Sequence, residues 1–155
     1  MLKSHRDPAL LWLIVFAYAV HIGEEWVMGF PQWVARIIDR PMPGTAFLVI
    51  NALAWLTMAW AVASAIKDES RDWLGIGVAT IVVINAGSHV LGVAVTGAYA
   101  PGVVTALLLY VPLGGLVLLR ARSQADPAQL RRGLIGGFLV HAGVFLLAYA
   151  TSRLS

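Results

Sequence analysis

Cysteine is entirely absent from the sequence, which removes thiol nucleophiles, thiolate metal ligands and disulfides together. Any metal must then be held by nitrogen and oxygen. Charge is also scarce: Asp, Glu, Lys and Arg make up 12% of the 155 residues, against 59% hydrophobic. A soluble domain carries about a quarter charged residues, so this chain cannot cover a water-facing surface. Strand-like alternation, an internal repeat and a soluble second domain are lacking too. With a mean hydropathy of +0.79, the expected class is an all-α integral membrane helical bundle, a single membrane domain over residues 1–155.

What is present falls into apolar runs separated by short polar turns. A membrane crossing needs about 20 apolar residues at a rise of about 1.5 Å each. Five runs qualify, at approximately 9–28, 44–66, 72–95, 101–119 and 132–151. Asp7 and Pro8 suit the start of the first, Pro101 suits the start of the fourth, and "DPAQ" signals another helix start before the fifth. The N-terminal "MLKSHRDPALLWLIVFAYAV" begins like a signal peptide. Its apolar run is long, however, and leads into His21 and Glu24 rather than a small-residue cleavage site, so it reads as a retained span.

The net charge of +3 lies between the runs, where topology explains it better than nucleic-acid binding. Lys3, Arg6, Lys67, Arg71, Arg120, Arg122, Arg131 and Arg132 share one side, against Arg36, Arg40 and Arg153 on the other. The positive-inside rule then places the N-terminus in the cytoplasm and the C-terminus outside, in a multi-pass protein of a bacterial inner or plasma membrane. The amphipathic "FPQWVARIID" is expected on the outer interface, with Trp26 and Trp33 near headgroup level.

Ionisable residues inside spans are rare and point to function. Here they are His21, Glu24 and Glu25 in the first span, His89 in the third and His141 in the fifth, accompanied by Asn51, Asn85 and Thr105. At about 1.5 Å per residue from the cytoplasmic ends, His21 lies at about 18 Å, Glu24 at about 23 Å and His89 at about 25 Å. Asn85 falls at about 20 Å, His141 at about 14 Å, and Asn51 and Thr105 at about 22 Å. One polar layer in the outer half can hold them all. Glu24 and Glu25 follow His21 by three and four positions and flank its stripe, and Asn85 and His89 share a face of their helix.

Two arrangements make paired glutamates tolerable in lipid. A divalent cation can take imidazole and carboxylate ligands, as inward-facing Glu and His do in helix bundles; zinc, iron and manganese suit such donors. The expected ligands are His21, Glu24, Glu25, His89 and His141. Alternatively one glutamate keeps its proton and the other pairs with a histidinium, giving a general acid and base in one apolar pocket. Ordinary interface polarity and helix-packing hydrogen bonds are the plain alternative to both. His5 is terminal, and no role is assigned to it.

"HIGEE" (His21, Glu24, Glu25), "NAGSH" (Asn85, His89) and "YAPG..T" (Tyr99, Pro101, Gly102, Thr105) together resemble the small membrane proteins named for an HXXEE motif. The resemblance runs from about Leu13 to Leu119. It singles out residues without naming a reaction, since the family has no settled activity, and it leaves His141 outside its motifs.

The leading expectation is an intramembrane, metal-dependent enzyme acting on a lipophilic small molecule by hydrolysis or oxidation. Glu24, Glu25, Asn85, Tyr99 and Thr105 are its candidate catalytic residues, with Asn85 orienting a ligand. Tyr99 either bonds a carboxylate, lines a pocket mouth or simply caps a tight turn. A metal-free acid–base isomerase or cyclase of a sterol- or terpene-like substrate is the first alternative, with Trp12, Phe16, Trp26 and Trp55 available to shield a carbocation. A proton- or cation-coupled transporter is the second, although repeated halves are lacking, and a structural membrane subunit is the third. The expected partners are membrane lipid and the substrate. Gly136, Gly137 and Gly143 allow close helix contact, within the bundle or in a homo-oligomer.

Overall fold

The computed structural model describes residues 4–154, with side chains described for 4–150; Lys3 and Arg153 of the charge count lie outside the described side chains. The described residues are all-helical, and five helices are long and apolar enough to cross a membrane. These are α1 (Pro8–Val27), α3 (Gly44–Lys67), α4 (Asp72–Thr96), α5 (Val103–Gln124) and α6 (Pro127–Leu154). A short α2 (Phe30–Ile38) lies between the first two, and a 3-10 turn (Glu69–Arg71) leads into α4. The fourth and fifth spans differ most from the hydropathy reading. Arg120 and Arg122 extend the helical end of α5, and Asp126 starts α6 by accepting from the Ala128 and Gln129 amides. Asp7 does the same for α1, accepting from Ala9 with Pro8 in the first turn. Each cap supplies an acceptor to amides that have no partner within their helix.

α4 is the central helix and touches all four other spans. Two glycine-lined approaches let it do so. A Cβ on Gly137 would lie 2.6 Å from the Gly77 carbonyl, and one on Gly133 would lie 2.6 Å from Ile76, so α6 meets α4 almost backbone to backbone. Gly114 brings α5 nearly as close, with a Cβ 2.8 Å from Val82 and Val83. Gly136 is looser, and Gly143 has nothing within 4 Å of a Cβ. Of the three glycines expected to allow close contact, Gly137 does so within the bundle. The core filled by these approaches includes Leu11, Ile14, Val62, Ile76, Val82 and Val117.

α5 contains a π turn over Ala106–Tyr110, immediately before Pro112. Proline has no amide to donate and its ring crowds the carbonyl four residues back. A widened turn at that point accommodates both problems. Hydropathy carries no trace of it, yet it places Tyr110 at the site described below.

The bundle has two polar ends. At the N-terminal end, His5 Nε2 meets Asp72 at 2.6 Å, and both residues are buried. Arg6 bonds Glu69 and the Ala65 carbonyl, the His5 amide donates to Gln124, and Arg120 donates to the Ser4 carbonyl. At the other end α2 packs across the bundle. Its Pro31 is buried, Phe30 lies 5.8 Å from the His89 ring, and Trp33 packs on Gly92, where a Cβ would be 2.7 Å away.

Candidate metal centre

The two glutamates of "HIGEE" part company. Glu25 is 4% exposed and turns into the bundle, while Glu24 turns toward the α4–α5 turn. Glu25 Oε1 lies 3.5 Å from His21 Nε2 and 3.3 Å from His89 Nε2. One ligand atom from each of the three residues falls within 4.8 Å of the others. The imidazoles meet edge to face, 4.9 Å apart, and Tyr110 packs 4.5 Å from His21 on its other side.

Glu24 is fully engaged elsewhere. Its Oε1 accepts from the Tyr99 hydroxyl at 2.5 Å and from the Gly102 and Val104 amides. Its Oε2 accepts from the Thr105 amide at 2.8 Å and the Thr105 hydroxyl at 2.5 Å. The amides are the unsatisfied donors at the start of α5, where the helix dipole also favours an anion. Glu24 therefore caps a neighbouring helix. Burial and the Glu24 carboxylate push the Tyr99 phenol up to about 12, so it keeps the proton it donates.

This cap also reaches His21 through Thr105. All five partners of Glu24 are donors, so the carboxylate is satisfied as an anion, and the Thr105 proton goes to it. Thr105 Oγ1 is then left to accept, and His21 Nδ1 lies 2.9 Å away. Nδ1 is placed to donate to it, and Nε2 faces Glu25. Nε2 and Glu25 Oε1 stand 3.5 Å apart in a buried space, where a proton on the imidazole or a cation between them offsets the carboxylate.

Gly102 closes the cluster. Its φ of +96° is open to glycine, and a Cβ there would lie 2.6 Å from His89, 2.8 Å from His21 and 3.0 Å from Glu25.

The remaining candidates lie around this centre rather than in it. His141 Nε2 is 3.4 Å from Ser88 Oγ on the outer flank of α4 and does not join the three ligand atoms. Asn51 pairs with Tyr18, whose hydroxyl donates to it at 2.7 Å. Asn85 has a buried Oδ1 with no partner among the described residues, as do His89 Nδ1 and the Tyr110 hydroxyl. The four aromatics available to shield a carbocation are not gathered: Trp12 pairs with Phe16, Trp26 stacks on Phe47 and Trp55 donates to the Val15 carbonyl. Tyr18, Tyr110 and Phe30 stand at the centre instead. Tyr18 carried a signal, being three residues before His21 and so on its face; Tyr110 carried none.

A cavity of about 550 Å³ adjoins the centre at Glu25, within the range of small-molecule sites. Asn51, Asn85 and His141 line its polar part, while Phe47, Trp60 and Phe145 line its apolar part. Trp60 of α3 and Phe145 of α6 are 59% and 66% exposed, so the cavity opens sideways between these two spans.

The fold and centre define a helical membrane protein with a buried His–Glu–His cluster. The chain belongs to the family described as "protein of unknown function with HXXEE motif", whose model matches residues 12–117. It is also 33% identical over 110 residues to an uncharacterised protein, YrkK, of Bacillus subtilis (strain 168), covering 66% of this chain and 68% of that one. No solved structure matches.

Proposed function

We propose that the chain is an intramembrane, metal-dependent enzyme acting on a lipophilic small molecule, with His21, Glu25 and His89 as ligands of one divalent cation. The observation that carries this reading is the spacing of the donors. Bonds of about 2.0–2.1 Å set tetrahedral ligands about 3.3–3.4 Å apart, and the two imidazole-to-carboxylate separations are 3.5 and 3.3 Å. Charge-assisted hydrogen bonds are shorter, at about 2.7–2.9 Å, so a histidinium pair fits these distances less well. The Thr105 hydroxyl beside His21 Nδ1, which leaves Nε2 to face the centre, supports the same choice.

Two imidazoles and one carboxylate suit zinc, iron or manganese. Three protein ligands leave a position open, as catalytic sites do. Such a cation supplies Lewis-acid activation for hydrolysis, or redox chemistry if it is iron or manganese. Glu24, Thr105 and Tyr99 act one layer out, holding His21 in its tautomer. The side opening between α3 and α6 gives a lipid-dissolved substrate its route.

Metal analysis of the protein purified in lipid nanodiscs tests the reading. About one zinc, iron or manganese ion per chain is expected, lost in Glu25→Gln and His89→Ala. Folded wild-type protein that takes up none of the three when they are supplied would overturn it.

A further inference from the structure

We propose that the cavity between α3 and α6 binds an uncharged single-chain lipid with a hydroxyl headgroup, such as a monoacylglycerol or fatty alcohol. Its head sits against Asn85 beside Glu25, and its chain leaves between the two spans. This rests on the function proposed above for what happens to the head, but binding itself needs only the cavity.

Charge argues for a neutral head. Among the described residues lining the cavity there is no Lys or Arg, and Glu25 is the one ionisable acid. A phosphate or carboxylate head would meet Glu25 with no basic side chain to offset the repulsion. The polar atoms argue for a hydroxyl. Asn85 Oδ1, on the cavity wall, is a buried acceptor without a partner among the described residues, and a hydroxyl supplies the donor it lacks.

The apolar part argues for one chain. Ala54 and Met58 of α3 continue the lining away from Asn51, and Val140, Val144 and Phe145 of α6 complete it. At about 550 Å³ the space is of small-molecule size.

Tryptophan fluorescence reads the occupant directly, because Trp60 and Trp73 both line the cavity. The probes are a brominated monoacylglycerol and a brominated fatty acid of the same chain, added to nanodisc-embedded protein with and without a chelator. Saturable quenching by the monoacylglycerol is expected, about tenfold tighter than by the fatty acid. It should shrink in Trp60→Phe and Trp73→Phe, persist in chelator, and lose its headgroup preference in Asn85→Leu. Ala54→Phe, which fills the cavity without touching the polar end, should abolish it. Equal or stronger quenching by the fatty acid, or quenching unaffected by Ala54→Phe, would overturn the proposal. Loss of metal with quenching intact would count against the metal centre alone, and retention of metal without saturable quenching against this site alone.

Discussion

Glu24 and Glu25 are neighbours with opposite tasks, and one hydroxyl connects them. Thr105 gives its proton to Glu24 and stands ready to accept from His21 Nδ1, so an ionised cap favours a hydrogen on the nitrogen of His21 turned away from Glu25. Glu24→Gln and Thr105→Val are therefore expected to keep the metal stoichiometry but weaken affinity about 10–100-fold, as outer-layer changes do. Nitrogen NMR of histidine-labelled protein supplies the independent readout. Wild-type His21 should carry its hydrogen on Nδ1, and Thr105→Val should lose that preference. An unchanged tautomer in Thr105→Val would refute the relay. Helical phase showed that both glutamates flank the histidine's stripe, but not which one turns inward. That choice is tertiary: the free amides of the α5 start capture Glu24, and only Glu25 is left for the centre.

The same divide between local and tertiary information holds for the elements. Span number and most helix starts were legible because length, capping residues and proline are local signals. Asp7 and Asp126 both act as their positions implied. His141 shows the limit: depth along a helix can be counted, but the direction it faces depends on how α6 packs against Gly77 of α4. Tyr110 shows another. Five residues after Thr105, it would lie about 140° round a regular α-helix, and the π turn before Pro112 changes that angle. Gly102 is where an element and the centre meet. Gly102→Ala combines backbone strain of about 1–3 kcal/mol with a methyl group driven between His89, His21 and Glu25. It is expected to lower the midpoint of thermal unfolding and to abolish metal uptake. Gly143→Ala, with open space around it, should leave both unchanged and serves as the control.

At the scale of the molecule, the centre lies at the end carrying α2 and the Gly102 turn, away from the end where most Lys and Arg collect. From the charge bias we propose that the arginine-rich end faces the cytoplasm. The lack of native cysteine makes orientation simple to test. A cysteine at Ser123, exposed in the last turn of α5, is expected to react with a membrane-impermeant maleimide only after cells are opened. One at Ala98, exposed in the turn after α4, should react in intact cells. The reverse pattern would invert the protein. Neither position touches the centre, so metal content should be unaffected in both.

The contacts at the N-terminal end bear on how the bundle is assembled. Ser4, His5 and Arg6 precede all five long helices, yet they hold Ala65, Glu69 and Asp72, and then Arg120 and Gln124. Those last partners leave the ribosome only after four crossings have been made. The half of the latch made by Arg120 and Gln124 therefore closes last, after the contacts to Ala65, Glu69 and Asp72 can form. A bulky side chain at Ser4 would sit directly on that latch, far from the chemistry yet able to keep the bundle from locking.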